Sequence, residues 1–109
     1  MAHEWTPTYP KMKYSFIDGI MVTTMDLFNK REDISWYEIG VYDKDFNLIK
    51  HSVQGGKVQY VPPLQRKSVD VYIRSKDMDK ATYICSKSKI ISESEKATVV
   101  ASRICSKIK

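Results

Sequence analysis

Histidine and cysteine are scarce in this chain, with two of each among 109 residues. The C-x-x-C and H-E-x-x-H spacings that build zinc, redox and metalloprotease sites are absent. There is no G-x-S-x-G and no phosphate loop, so the usual hydrolase and nucleotide signatures are missing as well. The chain therefore reads as a non-enzyme with no cofactor. No apolar run approaches the roughly 18 residues of a membrane span. The stretch from Met1 to Pro10 also lacks the basic-then-apolar pattern of a signal peptide. Glycine and proline number only four each, which sets the chain apart from collagen-like and low-complexity sequences. No segment repeats its apolar residues at helical spacing.

What is present fits one small domain. A chain of this length has room for a single core, and 42% hydrophobic with 28% charged residues is the balance of a globular protein. The net charge of +5 is unevenly placed: residues 1–56 carry 6 basic and 8 acidic side chains, residues 57–109 carry 12 and 5. Such a basic half suits an anionic surface or an acidic protein, or is a solvated lysine-rich edge that keeps strands from aggregating. Nothing in it argues for sequence-specific reading of nucleic acid.

Residues 1–13, with Pro7 and Pro10 around Trp5 and Tyr9, read as an extended arm. Its aromatics, Trp5 and Tyr9, would pack on a neighbour or on the arm's own domain. Residues 14–109 then form the domain, where β-branched and aromatic residues recur every second position. The predicted strands are Ile20 to Phe28, Ser35 to Tyr42, Phe46 to His51, Lys57 to Val61, Ser68 to Ser75, Thr82 to Ile90 and Ala97 to Ile108. Turns at Asp43-Lys44-Asp45, Gln54-Gly55-Gly56 and Ser92 to Glu95 separate several of them. About seven short antiparallel strands at this spacing predict an all-β sandwich.

The tetrapeptide Ile-Cys-Ser-Lys occurs at Ile84 to Lys87 and again at Ile104 to Lys107. A hairpin centred near Glu95 places Cys85 opposite Cys105, close enough to bridge. Two reduced, buried thiols would give the same sequence; a bridge would point to an oxidising setting such as periplasm, secretion or a virion. In that register Lys87 faces Arg103, with Lys89 and Lys107 beside them. Like charges directly opposed are unfavourable unless solvent or an anion relieves them, so these four are candidates for binding an anion or an acidic partner.

The segment Asp79-Lys80-Ala81-Thr82-Tyr83-Ile84-Cys85 resembles the D-x-A-x-Y-x-C signature of immunoglobulin domains, and Ser35-Trp36-Tyr37 resembles their strand C tryptophan. The resemblance implies an immunoglobulin-like sandwich in which Trp36 packs on the sulfur of Cys85. It also makes Tyr83 the corner tyrosine that bonds back to the backbone and Asp79 part of the same signature. The usual strand B cysteine, due near Val22 to Thr24, is missing, and Cys105 takes its place from the last strand. This pattern turns Tyr83 and Cys85 inward, whereas strict alternation puts the cysteines on the face of Lys87 and Arg103; a bulge near Cys85, or a core that ends there with the lysines at its rim, would reconcile the two. A looser similarity, through Leu27-Phe28-Asn29, Val61-Pro62-Pro63-Leu64 and Val69 to Arg74, runs to the first domain of periplasmic pilus chaperones.

These readings converge on a binding or structural module, within a larger assembly or at a surface, that docks a protein through a strand edge, the aromatic arm or the basic hairpin. A chaperone-like factor that lends a strand edge to clients is the second reading. The third is a small copper protein using His3 and His51, which requires the two histidines to meet.

Overall fold

The computed structural model of the chain describes residues 3–89 and 102–108. Within them the alternating segments form β1 (Glu4–Thr6), β2 (Lys13–Tyr14), β3 (Ile20–Phe28), β4 (Trp36–Tyr42) and β5 (His51–Val53). They continue as β6 (Val58–Tyr60), β7 (Arg66–Arg74), β8 (Tyr83–Lys89) and β9 (Arg103–Lys107). One antiparallel sheet runs β1-β3-β7-β5, with β2 also paired to β3; the other runs β6-β4-β8-β9. This is an immunoglobulin-like sandwich: β1, β3, β7 and β5 take the A, B, E and D places, β4, β8 and β9 take C, F and G, and β6 adds an edge.

Most strands lie where the alternation predicts them, β3 residue for residue. The Ser92 to Glu95 turn and the start of the predicted last strand lie outside the described residues. One segment departs. Phe46 to His51 does not form a strand along β4, because the Asp43 carboxylate accepts hydrogen bonds from the amides of Asp45 and Asn47, both at 2.9 Å. That cap winds a tight turn with Phe46 at φ 62° and leaves a single bridge, Tyr42 to Leu48, beside β4. The chain then crosses sheets, so that His51–Val53 pairs with β7.

The inward set is apolar and tightly closed. Met25, Leu27, Tyr37, Ile39, Val41, Val71, Ile73 and Ile84 are all buried at 1% exposure or less. Each such side chain contributes roughly 1.5–3 kcal/mol of burial. One end of this core is polar. Asn29, fully buried, donates to the carbonyls of Ile34 and Val61, both at 2.8 Å, and its Oδ1 accepts the Tyr37 hydroxyl at 2.5 Å. Among the described residues no buried side-chain nitrogen or oxygen lacks a partner.

The N-terminal segment lies on its own domain. Glu4–Thr6 pairs with β3, and Trp5, only 4% exposed, enters the core opposite Leu27. Trp5 is therefore a core residue and not an arm contact, whereas Tyr9 is exposed. Alternation explains the insertion: one strand turn points a single large side chain inward, ahead of the prolines that end the pairing.

Candidate functional site

The residues singled out around the cysteines come together on the outer face of the second sheet. The β8–β9 register pairs Cys85 with Cys105 and Lys87 with Arg103. The cysteines are joined, with Sγ atoms 2.03 Å apart. Ser88 N donates to Ser102 O, and Ile108 N donates to Thr82 O. Even-numbered residues thus carry the hydrogen bonds between β8 and β9, and Cys85 and Cys105 form a non-hydrogen-bonded pair, where strands approach most closely.

Alternation, and not the inward turn of the immunoglobulin signature, decides the facing. Ile84, Ser86 and Ser88 are buried toward the core, while Lys87 and Lys89 are exposed on the side of Cys85. Cys85 is nevertheless only 1% exposed. Its cross-strand neighbour on β4 is Gly40, and a Cβ there would stand 2.5 Å from the Tyr42 hydroxyl, so the Tyr42 ring lies flat over this part of the sheet. Two parts of the resemblance are corrected here. Trp36 sits at the far end of β4 opposite Lys89 and packs on Tyr60, ring centroids 5.0 Å apart, rather than on Cys85. Tyr83 stacks on Phe46 at 4.7 Å on the outer face instead of turning a corner; the buried aromatic of β4 is Tyr37. Both follow from an odd–even count that points Trp36 and Tyr83 outward together.

The four cations differ in their surroundings. Lys89 forms an exposed ion pair with Glu38 at 3.5 Å. Arg103 lays its guanidinium over the Phe46 ring, 4.9 Å from the centroid. Such a contact orients the guanidinium while leaving its N–H groups available. Lys87, opposite it, is exposed, as is Lys107 farther along β9. Phe46 was not recognisable as part of this site; an aromatic inside the polar run Asp43 to Asn47 was the available signal. Asp79 lies on the exposed turn before β8, beside Lys80, and its neighbours Asp43 and Asp45 belong to the facing turn.

The rim of β9 completes the site. Since its even residues bond to β8, the backbone groups of Arg103, Cys105 and Lys107 point away from the sheet. Lys107 N donates to Thr8 O at 2.9 Å, so the N-terminal segment covers that end. Among the described residues no strand extends the sheet beyond β9, and the N-terminal segment lies alongside it, with Thr8 O at Lys107 N and His3 Nδ1 3.3 Å from Ser102 Oγ.

The two histidines do not build a metal site. His3 Nε2 lies 2.7 Å from Ser86 Oγ and its Nδ1 lies 3.3 Å from Ser102 Oγ. His51 is held instead by the carbonyls of Ile49 and Ile39, at 2.7 and 3.4 Å. Both rings are buried with their nitrogens in use, and no three His, Cys, Asp or Glu side chains converge as ligands among the described residues. Burial pushes His3 down to about 4, the Ser86 hydrogen bond opposes this, and the charge of Arg31 adds to the depression. Burial likewise raises Tyr37 to about 12.

On the opposite sheet, Tyr14, Phe16, Ile17, Val22 and Tyr72 line an open groove of about 400 Å³, with Phe16 fully exposed. The alternation of β3 and β7 points Val22 and Tyr72 outward there, and the turn before Gly19 carries Phe16 and Ile17.

No family model matches the chain. No curated protein matches it either. Among solved structures it is similar to the E. coli chaperone DraB, with a TM-score of 0.66 at 12% sequence identity. The similarity covers 98% of this chain and 53% of that one, so the chain spans about half the length of the chaperone. The likeness shows the fold, which agrees with the similarity read from Leu27-Phe28-Asn29 and Val61-Pro62-Pro63-Leu64.

Proposed function

We propose that this chain is a non-enzymatic protein-binding module that takes up an extended segment of a partner along the rim of β9. The observation that carries the reading is that β9 ends its sheet among the described residues, with the backbone groups of Arg103 and Cys105 directed outward and the next outward residue, Lys107, already bonded to Thr8. A strand edge in this state is a template for β-augmentation, in which main-chain hydrogen bonds give affinity and alternate side chains give selectivity. The disulfide fixes the β8–β9 register and so holds the edge in place. It also favours an oxidising, extracytoplasmic setting.

Short extended peptides alternating valine with threonine test this reading. Binding should slow amide exchange at Arg103 and Cys105, whereas Ile104 and Ser106 are protected beforehand by β8. Binding elsewhere, with those two amides still exchanging freely, would overturn it.

A second reading, a chaperone-like assembly factor, is favoured by the structural likeness to a chaperone. It uses the same rim but requires that a strand-deficient client stay soluble in the presence of the protein. A module that binds only folded or preformed extended segments would leave such a client to aggregate.

A further inference from the structure

We infer that the segment docked along β9 is an acidic stretch of a partner protein, with carboxylates at alternate positions meeting Lys87 and Arg103. This rests on the rim reading above and names the chemistry of its occupant. Side chains of a strand added beside β9 alternate between the two faces of the sheet, so every second one lies on the outer face next to Arg103.

The charge on that face is only partly compensated by the protein itself, through Glu38. Lys87 and Arg103 stand directly opposite in a non-hydrogen-bonded pair, where Cβ atoms are only about 5 Å apart. The acidic neighbour on β4, Glu38, is opposite Lys87 in register but has its carboxylate within 3.5 Å of Lys89. The disulfide at the next pair along the ladder fixes the register, so the backbones of the two residues are held opposite each other. Arg103 is also oriented by Phe46, whose position follows from the Asp43-capped turn. A carboxylate between the two cations relieves their repulsion and receives hydrogen bonds from a guanidinium already held in place.

A basic face with aromatic rings also suggests single-stranded nucleic acid, which needs rings free to stack on bases. Here the rings are paired with one another: Phe46 with Tyr83, and Trp36 with Tyr60. Phe46 carries the Arg103 guanidinium in addition. The neighbouring feature is a strand edge, which suits a peptide backbone and not a sugar–phosphate one.

The test compares a valine–threonine peptide with one in which glutamate replaces threonine. The glutamate peptide should bind at least about tenfold more tightly and lose that gain as salt rises. Lys87→Glu with Arg103→Glu should erase the gain. Phe46→Leu, which keeps every charge, should remove part of it. Lys50→Glu with Lys76→Glu, the same charge change elsewhere, should leave the glutamate peptide within about twofold. Equal binding of the two peptides, with Arg103 and Cys105 amides protected, overturns the acidic partner and spares the rim. A glutamate peptide that needs Lys87 and Arg103 but protects neither amide overturns the rim and spares the charge preference. Equal loss in the Lys50 and Lys76 variant, or tighter binding of oligothymidine, overturns the inference.

Discussion

The indole Nε1 of Trp5 donates a hydrogen bond to the carbonyl oxygen of Ile84 at 2.9 Å, joining the first strand of one sheet to the β8 backbone of the other. Trp5 is thus both core filler and cross-sheet tie. Trp5→Ala should cost about 3–5 kcal/mol of unfolding free energy, from the lost apolar contact and the cavity left behind. Denaturant unfolding measures this; a change below about 1 kcal/mol would mean that the segment lies loosely on the surface.

The Cys85–Cys105 bond closes a loop with a sequence separation of 20. Chain-entropy arguments give such a closure about 3 kcal/mol. Reduction, or Cys85→Ala with Cys105→Ala, should lower the denaturation midpoint by a matching amount. Alkylation followed by intact mass should modify neither cysteine until the protein is reduced.

His3 makes stability depend on pH. Its folded value of about 4 lies below the ordinary 6.5, so the unfolded chain binds a proton more readily than the folded one. The contribution is fully present above about pH 6.5 and is lost as pH falls toward about 4, on the order of 3 kcal/mol in total. His3→Gln should flatten this part of the stability curve relative to the parent. A parent curve that is level between these limits would contradict the buried, neutral ring.

Asn29 holds three separate chain segments through its side chain, with Ile34 O, Val61 O and the Tyr37 hydroxyl as partners. Asn29→Ala should cost about 2–4 kcal/mol by leaving buried carbonyls without donors. Tyr37→Phe should cost less, about 1–2 kcal/mol, since Asn29 Oδ1 keeps the Arg31 amide at 2.9 Å. Reversal of that order in equilibrium unfolding would show that the hydroxyl, and not the amide, organises this end of the core.

The strands were legible because period-two alternation is a local property. Val69, Val71 and Ile73 point one way whatever the rest of the chain does, and the same count placed Tyr37, Ile39 and Val41 on the core face. The register of Cys85 with Cys105 was legible for a similar reason, since a hairpin's centre fixes all of its pairs at once. The resemblance to immunoglobulin domains gave the fold but misplaced Trp36 and Tyr83, because the signature encodes an inter-sheet cysteine pair and this chain joins neighbouring strands of one sheet. Phe46 was misread as strand because the capping of its turn by Asp43 competes with alternation over only a few residues.

The sequence by itself determined the all-β class, the inward set of most strands, the register that sets the two cysteines opposite each other and the basic bias of the second half. Each follows from spacing or composition along a short stretch. Only the tertiary structure decided that Trp5 belongs to the core, that both histidines are buried with their ring nitrogens near hydrogen-bond partners, that Lys89 pairs with Glu38, and that Arg103 rests on Phe46. Those facts depend on which strands become neighbours across and within sheets, and no local pattern carries that information.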